Sequence, residues 1–258
     1  MKKVASLRYG VIFKKAFGDP AIFRALVQDF FGVALDIDTV ETEKSFDPPI
    51  GRVAARFDLF AEDKKNRVIV DIQHERYADH YDRFLHYHCA AILEQIVSAY
   101  DYRPPLRVYT LVVLTSGDKH KRDIVITDFD PKDLKGRPLG EIGHKIMYIC
   151  PKYVTDETPE PYREWLLAIA DSLDEEVEES NYHHPQIRKI FEFIEPDLVS
   201  PDERARMIEE YHLQEKIDEG KLEIAKRMLA KGMETALIAE LTGLSETTIF
   251  TLTSEPES

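Results

Sequence analysis

Asp58 and Asp71 are the residues whose type and placement in this chain most suggest chemistry. Each is an acid inside an apolar, strand-like run, RFDLFAED (56–63) and VIVDIQHE (68–75), where burying an unpaired carboxylate costs several kcal/mol. If the two runs form a hairpin with a two-residue turn at Lys64-Lys65, or a four-residue loop from Asp63 to Asn66, positions whose numbers total 129 face each other. Asp58 and Asp71 are such a pair, with Cβ atoms ~5 Å apart on one face. A three-residue loop would change the parity and send them to opposite faces. Two like charges that close call for a proton or a cation between them. A hard divalent ion with oxygen ligands, Mg²⁺ or Mn²⁺, suits a pair of carboxylates completed by water. Gln73 shares the face of Asp71, and its amide can hydrogen-bond an attacking water or a phosphate oxygen, although it can neither accept a proton nor supply positive charge. The competing reading is a surface hairpin whose acids face water.

The elements around this pair follow from spacing. Phe13 and Phe17, then Ile22, Leu26 and Phe30, recur at helical intervals, interrupted at Gly18-Asp19-Pro20. Asp19 suits an N-cap and Pro20 a first helical position, and Gly32 ends the helix. A strand is predicted from Asp38 to Phe46, closed by Asp47-Pro48-Pro49, and the hairpin strands from Arg52 to Glu62 and from Arg67 to His74. A long helix over Tyr81–Ala99 would bury Leu85, Cys89, Ile92, Leu93 and Ile96. Arg107–Thr115 (RVYTLVVLT) is β-branched and continuous, as a strand covered on both faces would be. Shorter strands are predicted at Ile124–Phe129 and Lys145–Ile149. After Pro151 a helix at Tyr162–Leu173 precedes five acids within Asp174–Glu179, and the rest reads as helical. The expected organisation is an α/β domain over residues 1–155, followed by an acidic helical region over 156–258.

The net charge of −14 is unevenly spread. Residues 1–150 carry 23 Lys and Arg against 22 Asp and Glu, whereas residues 151–258 carry 11 against 26. The second half is therefore a poor phosphate-binding surface, while the first can still present a basic groove. No run approaches the ~18 apolar residues of a membrane helix. The opening MKKVASLRYG has no apolar segment before a cleavage-type site, so a cytoplasmic location is expected. Cys89 and Cys150 have no CxxC partners for a zinc site or disulfide framework.

The order of FKKAFGD (13–19), RFDLFAED, VIVDIQHE, RFLHYH (83–88) and RVYTLVVLT resembles the PD-(D/E)XK nuclease fold, and within it the Rpn family of recombination-promoting nucleases and putative transposases. The resemblance covers roughly residues 8–150 and a tail near the end of the chain. It implies a restriction-endonuclease-like α/β core, a mixed sheet flanked by helices. It also implies a metal-dependent DNA endonuclease, transposase-like, acting in recombination or mobile-element biology. By it Asp58 and Asp71 are the metal carboxylates, with the backbone carbonyl of Ile72 as a further ligand, and Gln73 fills the slot of the motif lysine, a familiar variant there. Basic residues of the same half, Lys14, Lys15, Arg52, Arg56, Arg76 and Arg83, are candidates to support the phosphate, Lys14, Lys15 and Arg83 above all. Two departures stand out: Gly10 occupies a position often acidic or amide in the family, and Asp71 one often Glu. They imply an alternative, a relative that has lost turnover and acts as a protein-interaction module.

Other patterns receive plainer readings. His74, His80, His86 and His88 cluster, but His86 and His88 do not share a helix face, so structural hydrogen bonding is expected rather than zinc. His183-His184 reads as a linker before Pro185. No Gly-rich phosphate loop or Ser-His-Asp arrangement is present. In the tail (221–252), Ala239, Gly243 and Ile249 have helix-turn-helix spacing, with Gly243 as C-cap and Ser245 capping the next helix. That helix opens on Glu246, Thr247 and Thr248, and no Lys or Arg follows Lys231. A DNA reader would place Arg, Lys, Asn or Gln there, so packing or protein interaction is expected of the tail. DNA is the expected partner of the first half. A second copy or a protein partner is expected at the acidic helical region.

Overall fold

A computed structural model of the chain describes residues 1–47, 49–50, 53–74, 79–97 and 100–254. After the short strand β1 (Lys2–Lys3), α1 (Gly10–Phe17) buries Ile12, Phe13, Ala16 and Phe17. The next helix, α2 (Pro20–Phe31), starts where expected: the Asp19 carboxylate accepts from the backbone N–H of Ala21 (3.0 Å) and Ile22 (3.1 Å). It ends at Gly32, whose φ of 68° is left-handed, a conformation that costs glycine little.

A six-stranded mixed sheet follows. Its strands are β2 (Glu41–Ser45), β3 (Arg56–Glu62), β4 (Asn66–Gln73), then, after α3 (His80–Leu93), β5 (Arg107–Leu114), β6 (Ile124–Asp128) and β7 (Lys145–Ile149). The spatial order is β2-β3-β4-β5-β7-β6. β4, β5 and β7 are mutually parallel, and the remaining neighbours are antiparallel. The two central strands are buried almost throughout: Val68, Ile69 and Val70 in β4, and Val108 to Leu114 in β5. This is the burial pattern that parallel strands covered on both faces require. The helix after β4 makes the crossover that parallel pairing demands.

On that helix the structure overturns the expected stripe. The inward residues are Phe84, Tyr87, His88, Ala90 and Ala91, while Leu85 and Leu93 are 39% and 56% exposed. Phe84 and Tyr87 pack with Phe57, Phe60, Ile69, Val112 and Tyr148. The small Ala90 and Ala91 let the helix lie close against the sheet. Because the helix stops at Leu93, Ile96 is not part of it.

Beyond Pro151 the chain returns to the same body through α4 (Tyr162–Ser172), β8 (Glu176–Val177) and α5 (Pro185–Phe193). β8 falls within the acidic run, where no strand was expected, and pairs with β1. Further ties are Ala5 N–H to the Ile194 carbonyl (2.7 Å) and Trp165 Nε1–H to the Asp29 carboxylate (2.6 Å). His183-His184 is a cap rather than a linker: His184 Nδ1 accepts from Gln186 N–H, and both histidine N–H groups donate to Glu164. Packing separates a unit of residues 1–200 from one beginning at Pro201.

The second unit consists of α6 (Pro201–Ala230), α7 (Thr235–Thr242) and α8 (Glu246–Ser254). Ala225, Ile238 and Ile249 form its buried centre. Gly243, at φ 72°, closes α7 with its N–H on the Ala239 carbonyl, and the Ser245 hydroxyl accepts from Thr248 N–H at the start of α8. Among the described residues no helix is long and apolar enough to cross a membrane.

His88 lies fully buried on α3, with Nδ1 2.8 Å from Thr110 Oγ1 and its ring stacked on Phe129. Burial first, then the neighbouring His144, pushes its pKa down to about 3. The folded protein therefore favours neutral imidazole, and the unfolded chain takes up the proton near the ordinary value of ~6.5 without helping the fold. Stability should fall as pH drops from about 6.5 toward 3, by at most ~1.4 kcal/mol per pH unit from this group. In thermal melts across that range, His88→Gln should lose less Tm with acid than the wild type, and parallel curves would contradict this.

Candidate active site

The geometry of the two acids starts at a turn. The Asp63 carboxylate accepts from the backbone N–H of Lys65 (2.8 Å) and Asn66 (2.7 Å), and Asp63 N–H donates to the Asn66 carbonyl (2.9 Å), closing a two-residue turn at Lys64-Lys65. The pairs that follow, Glu62 with Arg67, Ala61 with Val68, Phe60 with Ile69 and Leu59 with Val70, all total 129. This register brings Asp58 opposite Asp71.

There the backbone ladder gives way to side chains. Asp58 N–H donates to Asp71 Oδ1 (3.0 Å), and Ile72 N–H donates to Asp58 Oδ2 (3.1 Å). Each carboxylate thus takes a donor from the opposite strand, Asp71 enclosed between the strands and Asp58 partly open to water. β4 is held on its other side by β5, with pairing that continues to Gln73 opposite Leu114. The competing surface-hairpin reading does not describe this arrangement, because Asp71 is only 3% exposed.

Burial pushes the Asp71 pKa well above the ordinary carboxylate range, and the adjacent charge of Asp58 pushes it further. Asp58, with a side chain 28% exposed, is also raised, chiefly by burial, against the opposing effects of the Ile72 N–H and the Lys14 ammonium. Asp71 Oδ2 is buried and has no hydrogen-bond partner among the described residues. Such an oxygen is costly to leave unpaired, and a proton or a cation would satisfy it.

Positive groups converge from two helices. Lys14 Nζ of α1 is 3.8 Å from Asp58 Oδ1 and 2.7 Å from Glu43 Oε1. Arg83 of α3 donates from Nη1 to Gln73 Oε1 (3.4 Å) and from Nη2 to the Tyr87 hydroxyl (3.3 Å), its guanidinium lying over the Phe84 and Tyr87 rings. Gln73 is therefore tied to the same corner. Lys15 is not: its ammonium donates to the Leu198 carbonyl (2.5 Å). Arg56 pairs with Glu43, and Arg52 and Arg76 lie outside the described residues.

Glu43 is the residue the sequence did not single out. The pairs flanking it, Thr42 with Leu59 and Lys44 with Phe57, set it opposite Asp58. Three acids, Glu43, Asp58 and Asp71, thus occupy facing positions on three adjacent strands. Glu43 also has a φ of 56°, a left-handed conformation that strains a residue with a side chain. ETEKS carries no alternating pattern that would have fixed this register in advance.

The model of a PD-(D/E)XK nuclease family transposase matches residues 11–225, more than half of the chain, from α1 through the sheet and into α6. The chain belongs to that family. A second model, described as the Rpn/YhgA-like nuclease family C-terminal HTH domain, matches residues 218–253, the segment containing α7 and α8. No curated protein and no solved structure matches the chain. Within this nuclease family fold, no group of three or more His, Cys, Asp or Glu side chains among the described residues is arranged to hold a metal ion. Three of the four clustered histidines hydrogen-bond within the fold, His74 with Thr115, His86 with the Val53 carbonyl and His88 with Thr110.

A buried, unneutralised pair of acids destabilises the fold when both are charged. Asp71→Asn keeps an acceptor for Asp58 N–H and removes one charge. In EDTA at pH 7.5 it should raise Tm by about 2–4 °C, the effect of roughly 1 kcal/mol in a unit of this size. A lower Tm would contradict the charge-burial account.

Proposed function

We propose that the chain is a divalent-metal-dependent DNA endonuclease, transposase-like, that hydrolyses phosphodiester bonds in recombination or mobile-element biology. The observation that supports this best is the Asp58–Asp71 pair between parted strands, with one buried carboxylate oxygen lacking a partner among the described residues. Asp58, Asp71 and the backbone carbonyl of Ile72 would hold Mg²⁺ or Mn²⁺. Two carboxylates with water are a common ligand set for such ions. When bound, the ion polarises a phosphate oxygen and lowers the pKa of a coordinated water.

The rest falls to the protein's own groups. Gln73 has Oε1 turned toward Arg83, so its NH₂ is the end offered to the attacking water or the phosphate. Arg83, preset against two aromatic rings, and Lys14, beside Asp58, supply the positive charge that Gln73 lacks. Lys15 is left out of the phosphate set because its ammonium is directed to Leu198.

The second unit contributes a helix-turn-helix to a protein whose partner is DNA. Its second helix opens with Glu246, and the hydroxyls of Thr247 and Thr248 are engaged by Ser245. It is thus better suited to packing, or to a protein partner or second copy, than to reading bases. A second reading, an inactive relative that binds partners, is favoured by Gly10 at the start of α1, which brings no side chain to the site, and by the uncharged Gln73.

Plasmid nicking in Mg²⁺ or Mn²⁺ separates the two readings. The enzyme reading expects cleavage that disappears in Asp58→Ala and Asp71→Ala and drops roughly hundred- to thousandfold in kcat in Gln73→Ala, as loss of a transition-state donor does. Arg83→Ala should weaken DNA binding and reduce its salt slope by about 1. Absence of cleavage with either metal would leave the interaction module.

A further inference from the structure

The row of three acids already holds cations at its Glu43 end, Lys14 between Glu43 and Asp58 and Arg56 on the far oxygen of Glu43. Lys14 Nζ bonds Glu43 Oε1 at 2.7 Å and stands 3.8 Å from Asp58 Oδ1, its side chain 17% exposed. Glu43 is held from its other oxygen by Arg56, so it is fixed from two directions. The flanking strand pairs set it opposite Asp58, with its backbone at a φ of 56°. The oxygens of the row are therefore divided. Asp58 Oδ2 and Asp71 Oδ1 accept backbone N–H groups, Asp58 Oδ1 and Glu43 Oε1 face the ammonium, and Asp71 Oδ2 has no partner among the described residues.

Phosphodiester hydrolysis at carboxylate centres is served by one ion or by two that clamp the attacking and leaving oxygens. Here no described residue makes an ion pair with Asp71, while Lys14 stands in the gap between Asp58 and Glu43. We propose that Lys14, positioned by Glu43, is the built-in second cation of this centre, so that the protein binds a single divalent ion on the Asp71 side of Asp58. The inference rests on the metal-binding reading above and adds to it a count and two named residues. Lys14 acts through its charge at Asp58, and Glu43 is a positioning residue for Lys14. It also gives Glu43 a role although it lies outside the Asp58–Asp71 hairpin.

The count is measurable without turnover. Mn²⁺ titrated into the full-length protein, with free Mn²⁺ followed by electron paramagnetic resonance and heat by calorimetry, should give one site per chain. That site should be lost in Asp71→Asn. Lys14→Gln frees Asp58 Oδ1 and Glu43 Oε1 and should bind two ions, and Lys14→Gln combined with Glu43→Gln should return the count to one. A wild-type count of two overturns the inference while leaving the metal site intact, and this needs no variant to fold. A count that stays at one in folded Lys14→Gln, checked by circular dichroism, also overturns it. Absence of any Mn²⁺ binding, or binding unaffected by Asp71→Asn, removes the metal-binding reading itself and the inference with it.

Discussion

Two hydrogen bonds in which carboxylates replace backbone acceptors govern the first unit: Asp58 N–H to Asp71, and Ile72 N–H to Asp58. Were β3 and β4 paired by backbone alone at this point, the acids would project from the sheet. Instead the strands part, and the side chains fill the opening while keeping the N–H groups satisfied, as buried backbone donors require. The local distortion is affordable because β4 is anchored along its other edge to β5 over its full length. A strand at the edge of the sheet could not be opened in this way without losing its position.

The surrounding core serves that arrangement. Phe57, Phe60, Phe84 and Tyr87 make edge-on and stacked contacts with one another on the side where Arg83 emerges. The rings that bury the hairpin therefore also support the guanidinium beside Gln73. α1 contributes from its opposite character: Ile12, Phe13, Ala16 and Phe17 fasten it inward, and Lys14 is left to reach the acids. Hydrophobic anchoring of this kind places a charged group with little freedom, which a surface lysine on a mobile element would lack.

Local chemistry made part of this readable in the sequence. Either loop length considered between the strands, two residues or four, makes the facing of 58 and 71 arithmetic, and the Asp63 carboxylate closes the two-residue form. Asp19, Pro20, Gly32, Gly243 and Ser245 act within a few residues of themselves, and their caps formed as read. What depended on distant partners was not legible. The face of α3 is chosen by the aromatic residues of β3 and by the room Ala90 and Ala91 leave, so counting leucines selected the wrong side. The strand at Glu176–Val177 exists because Lys2–Lys3 pairs with it across the chain. Glu43 entered the row only through a register set by a connection with no turn signal of known geometry, and the identity of its cation partner came from a helix some thirty residues earlier.

The two acids also differ in what they face. Asp71 is enclosed by protein, while Asp58 keeps a quarter of its side chain toward water. Under the proposed metal-binding role, access would be one-sided: a cation would meet Asp58 first and Asp71 last, and would leave by the same side. Lys14 stands at this threshold. Exchange should accordingly be slower than at an open carboxylate pair, and crowding at the doorway, rather than ligand strength alone, would set its pace.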